Sequence, residues 1–274
     1  EFLERIMRYR PLPVIMVSQH TQARASATVE ALARGAFGCV AKPTIASQGA
    51  PFADLVELVR AASRANIQKR ISHPPYRPSP VPDFTPNGQI VAIGASIGGV
   101  EALTEILAAF PSNCPPTIIT QHMPEGYTQN FAERLDRTCA PKIRHVTQDT
   151  SLETGHVYLA PGGHKHMELR CQPHLKCVLV PGEKVSGHCP SIDRLLSSCA
   201  ALGNKGLGVI LTGMGKDGAA GLLKMKEAGA HTIGQSEKTC VVHGIAKAAT
   251  VVGAVEEQVD LPDIAKRILQ RCRA

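Results

Sequence analysis

The fold class this sequence predicts is α/β: a mostly parallel sheet with helices on both faces in the C-terminal part, and a partial α/β piece before it. Three observations carry that prediction. The runs 90–93 and 207–211 are short and apolar throughout, as strands buried on both faces are. Each is followed by a glycine-rich turn, and the first then by apolar residues at helical spacing: Val100, Leu103, Ile106, Leu107 and Phe110. Strands and helices alternate along the chain, an order that calls for crossover helices over parallel strands.

Composition narrows the class further. The 274 residues allow one large domain or two modest ones, and 43% apolar residues supply a core. A net charge of +7 suits an acidic partner surface, but the basic residues are scattered and not interleaved with aromatics, which argues against nucleic acid. Nine cysteines without a C-x-x-C pair argue against a disulfide framework and a thiolate zinc site, and point to a reducing cytoplasm. No apolar run reaches membrane-spanning length and no signal peptide is visible, so no membrane insertion is expected. The chain opens at Glu1 inside a helical pattern, which suggests that an N-terminal segment is missing.

Taken in order, residues 1–10 read as the end of an amphipathic helix with Phe2, Ile6 and Met7 on one side. A strand over 13–17 ends in Ser18. A helix over 21–34 turns Val29, Leu32 and Ala33 inward and stops at Gly35. A strand over 37–40 leads to Lys42 and Pro43, and a helix over 51–69 shows Phe52, Leu55, Leu58, Val59 and Ala62 on one face. This half sheet is expected to leave Val14, Met16 and Phe37 uncovered. Six prolines between 74 and 86, closed by Asn87 and Gly88, make 71–88 a semi-extended linker. From 89 to the end a second domain is expected. Its strands fall at 90–93, 116–120, 156–159 and 207–211, with a hairpin of 167–170 and 175–180. Its helices cover 127–137, 219–228 and 262–272, and a further one opens at Pro190 with Ile192, Leu195, Leu196 and Cys199 inward.

The turn after 90–93 carries chemistry. Gly94, Ala95, Gly98 and Gly99 surround Ser96 with little side-chain bulk. The letters fit G-x-S-x-G in the strand–turn–helix setting that projects a serine hydroxyl beside free N–H groups. Two other apolar strands end in His122 and Asp217. All three would project from the carboxyl edge of one parallel sheet, where open α/β proteins bind ligands. A serine nucleophile, a histidine base and an orienting carboxylate are what acyl transfer requires, with contacts at about 2.6–3.2 Å. Simpler roles stand beside these: Ser96 as a helix cap, His122 bonded to a carbonyl, Asp217 as an N-cap. His164 and His166 offer a metal pair without a third ligand, and His188 with Cys189 a thiol–imidazole pair off any glycine elbow. A dinucleotide-binding turn is a rival reading, but it lacks G-x-G-x-x-G and an acidic residue where Gln121 and His122 stand.

The segments "IVAIGASIGGVEAL", "ITQHMP", "YLAPGGHKHM", "PSIDRLL", "VILTGMGKDGAAGL" and "VVHGIAKAATVVGAV" occur in this order. Over 89–274 the chain resembles the catalytic domain of the CheB family, the chemotaxis protein-glutamate methylesterases. The resemblance implies that Ser96, His122 and Asp217 form a catalytic triad and that the oxyanion is held at Met214 and at the N–H of Ile97. It implies methyl esters of glutamates on chemoreceptor cytoplasmic domains as substrate, with deamidation of receptor glutamines as a second activity. An inactive interaction domain of the same fold is the alternative. "PLPVIMVS" and "GAFGCVAKP" resemble the second half of a response-regulator receiver over 1–70. In that family Ser18 and Lys42 would contact a phosphoryl group, a chemotaxis histidine kinase would donate it to the full-length protein, and phosphorylation would relieve the receiver's cover over the active site. Mg²⁺ belongs only to a complete receiver, and no other cofactor or metal is implied. The family's acceptor Asp would precede Glu1, so this chain is expected not to respond to phosphorylation. It departs from the family at Ile97, usually Thr, at Cys189, usually Arg, and at Ser236 and His243.

Overall fold

The computed structural model describes residues 2–18, 22–42, 53–65 and 84–274. The N-terminal unit comprises helix α1 (Phe2–Tyr9), strand β1 (Ile15–Ser18), helix α2 (Gln22–Ala33), strand β2 (Gly38–Ala41) and helix α3 (Ala53–Arg64). β1 and β2 pair in parallel, Ser18 opposite Ala41. Phe52, Pro43 and most of the linker, residues 71–83, lie outside the described residues. Residues 84–88 do not hang free. The Asn87 N–H donates to the Cys272 carbonyl at 2.9 Å, and the Phe84 side chain is buried.

The C-terminal unit is a seven-stranded parallel sheet with helices on both faces, as the strand–helix alternation requires. Its elements are β3 (Ile90–Ala95), α4 (Gly99–Ala108), β4 (Thr117–Gln121), α5 (Tyr127–Thr138), β5 (Lys142–His145), β6 (Thr150–Ser151), β7 (His156–Leu159), β8 (Lys165–Arg170), β9 (Lys176–Pro181), α6 (Ile192–Cys199), β10 (Gly206–Ile210), α7 (Ala219–Glu227), β11 (His231–Gln235), α8 (Ile245–Val251), β12 (Glu257–Val259) and α9 (Leu261–Arg271). The sheet order is β12-β11-β10-β3-β4-β7-β5. From β3 the chain crosses first to β4 on one side and later to β10 on the other, so the strand order reverses at β3, where such sheets bind ligands. The antiparallel strands β6, β9 and β8 form a separate small sheet.

Period-two alternation along β3 assembles the two cores. Val91, Ile93 and Ala95 pack with Leu103, Ile106, Leu107 and Phe131 under α4 and α5. Ala92 faces the opposite layer with Ile192, Leu195, Leu196, Leu222 and Met225 from α6 and α7. Gly94 lets α6 come close: a Cβ there would lie 2.2 Å from Ile192 Cγ2.

The sequence pattern left β5, β11, β12 and α8 unassigned. β5 reads Lys-Ile-Arg-His and β12 Glu-Gln-Val; both are edge strands whose polar faces remain partly exposed, so neither shows a continuous apolar run. The expectation about Phe37 is corrected. It is 0% exposed and packs with Leu58, Ala62, Ile97, Val241 and Val242, because the N-terminal unit lies against the C-terminal one. Val14 and Met16 are half-buried, while Val17, Val56 and Val59 remain exposed. Glu30 on α2 binds Arg34 at 2.7 Å and also Arg134 on α5, an ion pair between the two units.

Candidate active site

β10, β3 and β4 are adjacent, and the residues just beyond their carboxyl ends build the site. Ser96 leaves β3 and is 8% exposed. Its N–H donates to the Thr212 carbonyl at 3.0 Å, tying the elbow to the loop after β10. A Cβ on Gly213 would stand 2.5 Å from the Ser96 Cβ, so only glycine admits this approach. The His122 N–H donates to the Ala95 carbonyl at 3.0 Å, extending the β3–β4 ladder by one residue and fixing the backbone of the histidine. Between them the buried Gln121 uses its amide nitrogen twice, donating to the Ser96 carbonyl at 2.8 Å and to the His122 carbonyl at 2.9 Å.

His122 Nε2 lies 2.8 Å from Asp217 Oδ2, with both side chains almost fully buried. Asp217 also accepts from the Ser191 hydroxyl at 2.8 Å and from the N–H groups of Ile192 at 2.8 Å and Asp193 at 3.0 Å. It therefore caps α6, whose N-terminal N–H groups favour a carboxylate, and not the helix that follows it in sequence. Burial alone would raise the Asp217 pKa. The hydrogen bond and charge of His122 and the two backbone donors outweigh that and hold it at about 2. Burial raises the pKa of neighbouring Asp193, whose Oδ1 accepts the Gly221 N–H at 2.7 Å.

An ionised Asp217 takes the Nε2 hydrogen of His122 and leaves Nδ1 as the ring's acceptor. Nδ1 is buried without a partner. The expected Ser96–His122 hydrogen bond is not made in this state, while the His122–Asp217 bond is. Such contacts tighten when substrate binds. Among the described residues, the N–H groups of Ile97 and Met214 have no acceptor, so both remain available to an oxyanion. Thr212 braces this edge: its hydroxyl donates to the Ile97 carbonyl at 3.0 Å and accepts the Val242 N–H at 3.0 Å.

The other candidates fall elsewhere. His166 is buried, with Nε2 donating to the Glu183 carbonyl at 2.9 Å and Nδ1 accepting the Ser191 N–H at 3.1 Å. His164 is exposed, and no group of three metal-ligating side chains occurs among the described residues. Burial raises the Cys189 thiol pKa, against a thiolate nucleophile, and His188 stacks on His122 instead. Ser18 and Lys42 end the paired strands of the N-terminal unit, and the Lys42 N–H donates to the Ser18 carbonyl at 2.8 Å. Burial raises the pKa of the Tyr127 hydroxyl on α5, and hydrogen bonding with Ser18 and Thr28 opposes that rise. A cavity of about 80 Å³ lies beside Ser96 and His122, walled in part by Leu32, Phe37 and Leu58 of the N-terminal unit.

Gln121, Ser191 and Thr212 were not singled out from sequence. Gln121 had one signal, a long amide ending an apolar strand, and Ser191 another, a capping serine ahead of an apolar helical pattern.

Fold and site together define the class: a doubly wound α/β protein with a serine, a histidine and an aspartate gathered at the carboxyl edge of its parallel sheet. The particular family follows from comparison. Residues 91–268 match the family profile described as CheB methylesterase, and the chain belongs to that family. It is 51% identical to a protein-glutamate methylesterase/protein-glutamine glutaminase of Agrobacterium fabrum, over 98% of this chain and 78% of that one. It is 50% identical to one from Caulobacter vibrioides, over 100% and 80%. The crystal structure of the Thermotoga maritima CheB methylesterase catalytic domain superposes with a TM-score of 0.65 at 34% identity, covering 67% of this chain and 98% of that one.

Proposed function

We propose that this chain hydrolyses γ-methyl esters of glutamate residues in proteins and deamidates glutamines, through Ser96, His122 and Asp217. The observation that carries the mechanism is the buried 2.8 Å pair of His122 Nε2 and Asp217 Oδ2 beside the serine elbow. The names of the relatives supply the substrate class. A serine hydroxyl is a weak nucleophile at neutral pH. His122 Nδ1 takes its proton as the oxygen attacks the ester carbonyl, and Asp217 stabilises the resulting imidazolium. The N–H groups of Ile97 and Met214 face the developing oxyanion. The same proton then passes to the methoxide, methanol leaves, and a glutamyl ester of Ser96 remains. Water, activated by Nδ1, cleaves it and restores the serine. With glutamine the leaving group is ammonia and the later steps are the same.

The substrates are the methylated glutamates of chemoreceptor cytoplasmic domains, which places the work at the cytoplasmic face of the membrane. Among the described residues no helix is long and apolar enough to cross a membrane. The N-terminal unit, walling the site with Leu32, Phe37 and Leu58, governs access. In a full-length protein with a complete receiver, a chemotaxis histidine kinase is the phosphodonor to it. The test is methanol release from methylated receptor cytoplasmic fragments by wild type and Ser96→Ala. A loss of about 10⁴–10⁶ in turnover with the fold intact is expected. Equal rates would refute the serine mechanism.

A further inference from the structure

His122 is held at only one ring atom. Nε2 bonds Asp217, while Nδ1, the atom that must receive the proton, has no partner. Nε2 lies nearer than Nδ1 to the axis about which an imidazole rotates on its Cβ–Cγ bond, so a hydrogen bond there resists a small rotation less than one at Nδ1 would. Nδ1 lies off that axis and is displaced by the same rotation. A second constraint, on the plane of the ring, is needed to aim it. The structure has one. The His188 imidazole lies flat on His122, with centroids 3.7 Å apart and planes inclined by 15°.

We propose that His188 is a positioning residue for the base: its ring plane, stacked on His122, fixes the rotation of the imidazole and aims Nδ1 at the Ser96 hydroxyl. This rests on the serine-hydrolase reading above.

The stacking ring is itself rigidly placed. The His188 N–H donates to the Val185 carbonyl at 2.9 Å, and the Val185 N–H donates to the His188 carbonyl at 3.0 Å. Ser186 and Gly187 between them have φ of 51° and 84°, the left-handed pair of a tight two-residue hairpin turn. His166 staples both ends of this segment to β8, through the Glu183 carbonyl and the Ser191 N–H. Ser191, at its far end, donates its hydroxyl to Asp217. One short segment therefore braces both the carboxylate that orients His122 and the plane that stops it from turning.

The test compares His188→Phe with His188→Leu. Both fill the space, but only phenylalanine offers a flat face. For H188L, kcat for methanol release should fall about 10–100-fold with KM nearly unchanged, the loss expected of a misaimed proton acceptor. H188F should stay within about threefold of wild type. The downfield proton resonance of the hydrogen-bonded His122 Nε2–H should be sharp in wild type and H188F and broadened in H188L. Equal melting temperatures control for folding. Wild-type kcat in H188L, or H188F as slow as H188L, overturns the proposal. So does an unbroadened resonance in H188L. Ser96→Ala run alongside separates the two failures: a slow S96A with a fast H188L sinks this inference alone, whereas a fast S96A sinks both.

Discussion

Asp217→Asn separates the two jobs of the carboxylate, because an amide can satisfy only some of its four hydrogen bonds. Oδ2 accepts from His122 Nε2 and the Ile192 N–H, and Oδ1 from the Ser191 hydroxyl and the Asp193 N–H. If the asparagine NH₂ takes the Oδ2 place, it confronts the Ile192 N–H and drives His122 to the tautomer whose Nδ1 carries hydrogen. If it takes the Oδ1 place, the Ser191 hydroxyl turns to accept, its own hydrogen loses its acceptor, and the Asp193 N–H is orphaned. The first arrangement leaves the Ile192 N–H and the new Nδ1–H unmade and the second the Asp193 N–H and the Ser191 O–H, so the donor count favours neither. In the second, His122 keeps its tautomer and loses only the negative charge beside its cation; in the first it also takes the wrong tautomer. The rate loss should therefore lie between about 10² and the roughly 10⁴ expected of a wrong tautomer, in kcat. The orphaned donors should lower the melting temperature by roughly 3–10 °C. Methanol release and calorimetry on the purified variant measure the two effects. A kcat within about fivefold of wild type would refute the orienting role, and an unchanged melting temperature would refute the fourfold anchoring.

Four further outcomes follow from the geometry. Asp217 is held at about 2, below its ordinary value of 3.8. A depressed folded value contributes stability above the unfolded pKa that is lost as pH falls from about 4 through 2. Urea midpoints of wild type should therefore fall more steeply over that range than those of Asp217→Asn; parallel curves would contradict it. Gly94→Ala puts a Cβ 2.2 Å from Ile192 Cγ2 and should cost about 1–3 kcal/mol by overpacking, with partial recovery on adding Ile192→Ala. No recovery in the double variant would mean that another contact sets the cost. Glu30→Ala breaks the pairs to Arg34 and Arg134; exposed pairs contribute roughly 0–1 kcal/mol, so turnover should rise by no more than about fivefold, and a fall would argue against the N-terminal wall limiting access. A chelator should leave methanol release unchanged, and inactivation would point to a metal requirement.

Much of this site is written in strand ends. β3 and β10 are apolar from end to end and β4 has an apolar centre at Ile118 and Ile119, so Ser96 and His122, directly after β3 and β4, and Asp217, at the end of the glycine-rich turn after β10, are legible as one edge once parallel pairing is assumed. What was not legible depends on contacts across distant segments. The hairpin at 185–188 lies more than 60 residues from His122 in sequence, and no local pattern announces that its imidazole will stack there. Asp217 as the cap of a helix that precedes it is equally non-local. Phe37 misled for the complementary reason. The expectation left it uncovered in its own half sheet, but Leu58 and Ala62 of its own unit and Ile97, Val241 and Val242 of the other unit cluster with it. β5 and β12 were missed because edge strands carry charge where central strands carry valine and isoleucine.

The use of Nδ1 as the free nitrogen of His122 sets a reach requirement on what is cleaved. Nδ1 sits one bond from Cγ, nearer the main chain than Nε2, so the proton is exchanged low against the sheet edge. On the proposed mechanism the scissile carbonyl has to meet it there, beside Ser96. The end of a long, unbranched side chain carries only a methoxy or amino group beyond the carbonyl, whereas a main-chain amide carries chain on both sides. A side-chain ester is therefore expected to be cleaved faster than a main-chain ester of the same leaving group, a comparison that tests whether the nitrogen left free by Asp217 sets the depth of the reaction.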